Sequence, residues 1–71
     1  MMNYEILANA IVEQAAKDYR WARAALAKDP ENGSAAQMRS DTERFFRSAW
    51  FGQLTSLDGE WLLEKLEGEF A

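Results

Sequence analysis

The stretch "KDPENGS" (residues 28–34) interrupts the longest helix-forming pattern in the chain. Proline lacks the amide hydrogen that a helix interior needs, and Asn32-Gly33 favours a turn, so Asp29-Pro30 stops one helix. Asn32 or Ser34 can then cap the next. A connection this short makes the helices on either side antiparallel neighbours. The sequence therefore predicts a helical hairpin.

Upstream, residues 3–28 contain neither glycine nor proline and are rich in alanine, leucine and glutamate, all good helix formers. Ala8, Val12, Ala15, Tyr19, Ala22 and Leu26 recur at spacings of 4, 3, 4, 3 and 4, a heptad seam. Small and large residues alternate along it, which lets a neighbouring helix approach closely and interdigitate. Ile11 widens the stripe. Leu7, Gln14 and Trp21, with Ala25 beside Leu7, fall on a second line well away from the seam. Either a third helix covers this line or another subunit does, tryptophan being the residue most enriched at interface hot spots.

Downstream, a helix over 33–50 is expected to bury Ala35, Met38, Thr42, Phe45 and Ala49, with Phe46 and Trp50 on its flank. Phe51 projects into the polar sector of Ser40, Arg44 and Arg47, so a straight helix cannot bury every ring. A bend near 50–52 is expected, made sterically cheap by Gly52. A third helix over 57–68 should bury Leu57, Trp61, Leu62 and Leu66 and end at Gly68. Thr55 and Asp58 lie near its start, and Asp58 and Glu60 suit the positive end of the helix dipole. The aromatic residues at 45–51 and Trp61 read as a packing knot where the second helix turns into the third. The expected fold is all-α, a small three-helix bundle forming a single helical domain over residues 1–71.

At 71 residues, one core rarely supplies more than about 3–5 kcal/mol, and small folds often need a staple or a partner. The chain has no cysteine and no histidine, so disulfides and the usual zinc ligand sets are excluded. Packing remains, alone or with self-association. An apolar fraction of 48% is ordinary for a folded domain. The beginning, "MMNYEILANAIVEQ" (residues 1–14), has no basic segment of a signal peptide, and no apolar run approaches the roughly 20 residues that span a bilayer. A soluble, cytoplasmic protein without membrane contact is expected.

Nucleophilic and acid–base chemistry would have to come from Lys17, Lys28, Lys65 and carboxylates. Glu60, Glu64 and Glu67 recur at i, i+4 and i+7 on the face a third helix gives to water, the arrangement of a solvated charged surface. "SLDGEW" (residues 56–61) holds an Asp-Gly pair but lacks the ligand series of a calcium loop, and Gly59 reads as geometry for the start of a helix. No catalytic residue, metal or cofactor is expected, and the chain reads as a non-enzyme.

Net charge is −4, spread as −2 over residues 1–16, +2 over 17–47 and −4 over 48–71. "WFGQLTSLDGEWLLEKL" (residues 50–66) has the layout of two helices about a tight turn, but the second would bring Asp58, Glu60, Glu64, Glu67 and Glu69 against phosphate with only Lys65 to offset them. Lys17, Arg20, Arg23, Arg39, Arg44 and Arg47 make a basic middle. Arg39 with Glu43, and Arg47 with Glu43, are spaced for ion pairs within a helix. Nucleic acid is the less favoured partner.

Two segments, "ERFFRSAWFGQLTSLDGEWLLEKL" (residues 43–66) and "ANAIVEQAAKDYRWARAAL" (residues 8–26), resemble short uncharacterised proteins of prophage-like and integrative-element regions in gut Firmicutes. The resembled pattern is an Arg-Phe-Phe-Arg-Ser segment, a Trp-Phe pair and a Leu-Asp-Gly-Glu-aromatic segment. The resemblance implies an all-helical fold and a mobile-element origin, and it carries over no catalytic residue.

The expected function is protein binding, with self-association through Leu7, Gln14, Trp21 and Ala25, as an accessory protein of a phage or mobile element. A nucleic-acid-linked regulator using Arg20, Arg23, Arg39, Arg44 and Arg47 is the alternative. Another is an acidic inhibitor in which Glu60, Glu64 and Glu67 imitate a phosphate backbone and block a basic groove on a host enzyme.

Overall fold

A computed structural model describes residues 4–70, and the small all-α bundle expected from the sequence is what it shows. Among the described residues there are four helices: α1 (Tyr4–Lys28), α2 (Gly33–Phe46), α3 (Ala49–Leu54) and α4 (Gly59–Gly68). Asn3, the expected first residue of α1, lies outside the described residues, as do Met1, Met2 and Ala71 of the expected 1–71 domain.

The 28–34 stretch turns the chain with local hydrogen bonds. Asp29 N–H donates to the Ala25 carbonyl at 2.9 Å and Asp29 Oδ1 accepts from Glu31 N–H at 3.0 Å. Of the two expected caps it is Asn32 that works, its Oδ1 accepting from Ala35 N–H at 3.0 Å. The two helices then pack along each other as a hairpin. At 25 residues, α1 is about 37 Å long and sets the 42 Å long dimension of the molecule. Its seam faces inward as expected: Ala8, Tyr19 and Ala22 are buried and Val12, Ala15 and Leu26 are half-buried.

The expected 33–50 helix is in fact two. It breaks at Arg47 and Ser48, earlier than the expected bend at 50–52, and Gly52 is an ordinary helical residue within α3. The break is made by Ser48, whose hydroxyl donates to the Phe45 carbonyl at 2.7 Å and accepts from Phe51 N–H at 3.1 Å. One side chain thereby closes α2 and caps α3. The reversal after α3 is similar in style. Thr55 Oγ1 accepts from Leu57 N–H at 3.2 Å, and Asp58 Oδ1 caps α4 by accepting from Glu60 N–H at 3.0 Å and Trp61 N–H at 3.3 Å. The last helix therefore begins at Gly59, two residues later than expected.

Gly59 determines how α4 sits. A Cβ built on it would overlap the Phe46 carbonyl oxygen, 2.9 Å from the carbonyl carbon and 3.2 Å from Phe51 Cδ1. The start of α4 thus lies backbone to backbone against the end of α2. That phase turns Leu63 and Leu66 into the core and Trp61 outward, where Lys65 Nζ lies 5.5 Å from its ring centroid. Trp61 and Leu57, expected inside, are each 50% exposed, and Ala49 is exposed as well. Leu63 takes the place given to Trp61. Phe51, expected in a polar sector, is buried because the break at Ser48 redirects its ring.

The core is Tyr19, Phe46, Phe51, Leu63 and Leu66, flanked by Val12, Ala15, Ala16, Phe45 and Leu62. All four helices contribute to it. Phe45 meets Trp50 and Phe51 edge-on at centroid distances of 5.6 Å, and Phe46 meets Phe51 at 5.6 Å, the tilted geometry that aromatic quadrupoles favour. The packing knot expected at residues 45–51 is present, without Trp61.

Two glycine substitutions should move stability in opposite directions. Gly59→Ala forces the α2–α4 contact apart and should destabilise by roughly 1–3 kcal/mol. Gly52→Ala, with nothing within 4 Å of the added methyl, should stabilise by roughly 0.5–1 kcal/mol. Urea denaturation followed by circular dichroism measures both.

Candidate functional site

The two sides of the α1/α2 hairpin are unlike. On one side Val12, Ala16 and Tyr19 of α1 face Leu62, Leu63 and Leu66 of α4. On the other, α1 and α2 leave an open groove of about 330 Å³ lined by Ile11, Gln14, Ala15 and Asp18 of α1, by Met38, Asp41, Thr42 and Phe45 of α2, and by Trp50 of α3. Its floor is apolar. Thr42 donates its hydroxyl to the Met38 and Arg39 carbonyls at 2.9 and 3.0 Å, which leaves its methyl as the remaining surface. Asp18 and Asp41 line opposite helices, each accepting from a glutamine one turn earlier: Gln14 to Asp18 at 2.9 Å and Gln37 to Asp41 at 2.8 Å.

The line Leu7, Gln14, Trp21 and Ala25 runs along this open side. Gln14 lines the groove, and Leu7 and Trp21, two turns before and after it, continue the same line. Trp21 is 52% exposed and Leu7 42% exposed, while Ala25 is half-buried. Of the two alternatives for this line, cover by a third helix is not met, because α4 packs on the opposite side of the hairpin. Trp50, 53% exposed, forms the far wall of the groove. Sequence reading placed Trp50 only on the flank of a longer helix; the break at Ser48 that swings it to the groove mouth leaves no periodic signal. Ile11 was legible as the residue that widens the α1 stripe.

Glu60, Glu64 and Glu67 lie on one continuous helix, α4, and the first of them is engaged by an arginine. Glu60 accepts from Arg47 Nε at 2.6 Å, a pair that holds the Arg47 guanidinium above its ordinary pKa, with Glu43 and Glu67 adding weaker attraction. Glu64 is exposed and Glu67 half-buried. The three carboxylates therefore do not form an unoccupied anionic face.

The arginines are similarly engaged. Arg20 grips Glu69 with two parallel hydrogen bonds, Nε to Oε1 at 2.8 Å and Nη2 to Oε2 at 3.0 Å, the bidentate geometry that suits guanidinium and carboxylate. Those bonds raise the Arg20 pKa and hold the Glu69 carboxyl below its ordinary value. Arg39 pairs with Glu43 at 3.7 Å, as its spacing predicts, and Arg44 with Asp41 at 3.8 Å. Arg47 reaches across to α4 for its close partner instead of Glu43. Arg23 donates to the buried Tyr19 hydroxyl at 2.6 Å and lies over the Phe70 ring at 5.2 Å. Among the described residues there is no cluster of three acidic side chains arranged to hold a metal ion, and no helix long and apolar enough to cross a membrane.

Compared with protein-family models, curated proteins and solved structures, the chain matches none.

The Arg20 and Glu69 pair has a testable acid signature. Because the carboxyl pKa is lowered on folding, its contribution to stability is present above the ordinary carboxylate pKa and is lost as pH falls through the lowered value. Arg20→Gln should move the Glu69 titration, followed by carboxyl carbon NMR, upward toward its ordinary range and flatten that part of the acid-range stability profile.

Proposed function

We propose that this chain is a non-enzymatic helical module that works by binding protein, and that its first partner is another copy of itself. The observation that supports this reading is the open side of the hairpin, where Leu7, Trp21 and Trp50 stay about half exposed beside an apolar groove. A small domain buries a lower fraction of its surface than a large one, and here the large side chains fully buried among the described residues are Tyr19, Phe46, Phe51, Leu63 and Leu66, with Ala8, Ala22 and Ala35 beside them. Covering the open side would add apolar burial that the single chain lacks. Exposed apolar patches of this kind mark interaction sites, and tryptophan is the commonest anchor at their centres.

The resemblance to prophage and integrative-element proteins supports the role of a cytoplasmic accessory protein of a phage or mobile element. Nucleic acid is less well supported as a partner, since Arg20, Arg39, Arg44 and Arg47 each lie within ion-pair distance of a carboxylate. Phosphate would have to displace those partners before gaining the release of counterions that drives such binding. The acidic-inhibitor reading loses Glu60 to Arg47 in the same way.

Sedimentation equilibrium over a wide concentration range tests the proposal. The wild type should be a dimer or larger, and Trp21→Ala should weaken association by roughly tenfold or more, the effect of losing a hot-spot side chain. A wild type that stays monomeric at the highest concentration would sink self-association.

A further inference from the structure

We propose that Asn32 is a modification site gated by the fold: its side chain cyclises onto the backbone nitrogen of Gly33 when the first turn of α2 opens, and is held back while that turn is closed.

The chemistry needs only water. The Gly33 nitrogen loses its proton and attacks Asn32 Cγ, so that one C–N bond forms while the C–N bond of the side-chain amide breaks and ammonia leaves. Water then opens the resulting cyclic imide at either carbonyl, giving aspartate or isoaspartate at position 32. A glycine after the asparagine leaves the attacking nitrogen unshielded, since it has no Cβ, and Gly33 is exposed with nothing within 4 Å of where a Cβ would stand. Asn3 is followed by Tyr4 and Asn9 by Ala10, so Asn32 alone among the asparagines has this neighbour.

Geometry supplies the gate. Ring closure requires the Gly33 nitrogen to swing round until it nearly eclipses Asn32 Cβ. As the cap of α2, Asn32 has φ −67° and ψ 101°, which turns that nitrogen away from Cβ. Three hydrogen bonds fix the arrangement. Asn32 Oδ1 accepts from Ala35 N–H at 3.0 Å, its carbonyl accepts from Ala36 N–H at 3.0 Å, and its N–H donates to the Asp29 carbonyl at 3.1 Å. Rotating the Asn32–Gly33 peptide into the reactive position carries the carbonyl away from Ala36, and bringing Cγ to the nitrogen takes Oδ1 from Ala35. The first turn of α2 must therefore unwind, and local opening sets the rate in the folded protein.

The two products act differently on the hairpin. Aspartate keeps an oxygen for Ala35 N–H and places negative charge at the positive end of the α2 dipole. Isoaspartate routes the main chain through the former side chain, which adds a methylene to the turn between α1 and α2 and takes the capping oxygen away. An opening of this turn is thus recorded as a lasting change in it.

Incubation in mildly alkaline buffer, with and without enough urea to unfold the chain, tests the proposal by peptide mapping that separates asparagine, aspartate and isoaspartate. Conversion at Asn32 should be roughly tenfold or more slower in the folded protein than in urea, and in urea it should outrun conversion at Asn9. Ala36→Gly, at an exposed position, weakens the first turn of α2 and should speed the folded reaction about twofold to fivefold without changing the rate in urea. Circular dichroism verifies that this variant is folded. Gly33→Ala should slow conversion in urea. A folded wild type that converts as fast as the unfolded chain overturns the gate, and an unfolded chain that converts Asn32 no faster than Asn9 overturns the site. A folded Ala36→Gly protein that converts at the wild-type rate overturns the first turn of α2 as the element that opens.

Discussion

The close approach of Gly59 to the Phe46 carbonyl governs the tertiary structure, because it is the point where α4 is pressed onto the end of α2 with no side chain between them. From that contact the orientation of α4 follows, and with it the identity of the core. Leu63 and Leu66 turn toward Tyr19 and Phe46, while Trp61 turns to water beside Lys65. A side chain of any size at residue 59 would lift α4 away and loosen the interlocked rings of Phe45, Phe46 and Phe51.

Ser48 is the second determinant. By donating to the Phe45 carbonyl and accepting from Phe51 N–H, its hydroxyl satisfies one backbone group on each side of the break as the chain changes direction. The two phenylalanines on either side then point inward from helices that do not share an axis. Trp50 is carried outward by the same turn and becomes a wall of the groove. Core and open surface are thus two results of one local reversal.

The charged groups act on the sides of the bundle rather than at a shared site. Arg47 with Glu60 ties the end of α2 to the first turn of α4, and Arg20 with Glu69 ties the middle of α1 to the residue just beyond α4. Exposed pairs of this type contribute little to stability individually. Their consequence here is the distribution of charge, with basic and acidic segments folded against each other, while on the hairpin's other side Asp18 and Asp41 are the charged residues lining an apolar-floored groove.

Periodicity and turn chemistry were enough to read the all-α class, the α1/α2 hairpin, the inward seam from Ala8 to Leu26 and the separate line of Leu7, Gln14 and Trp21 off that seam, because each depends on residues close together in the chain. That this line is left open was decided by where α4 packs. The position of the break was not legible: Gly52 has the greater local freedom, yet the hydroxyl of Ser48 had carbonyl and amide partners within reach and took them. Trp61 and Leu63 exchanged roles for a different reason. Both are apolar and lie two residues apart on the same helix, either side of Leu62, so the pattern permits either phase, and it is the steric fit of Gly59 under Phe46, 13 residues away in sequence, that selects one. The groove beside Trp50 likewise exists because α4 packs on the far side of the hairpin, a choice made by contacts between helices and written in no single segment.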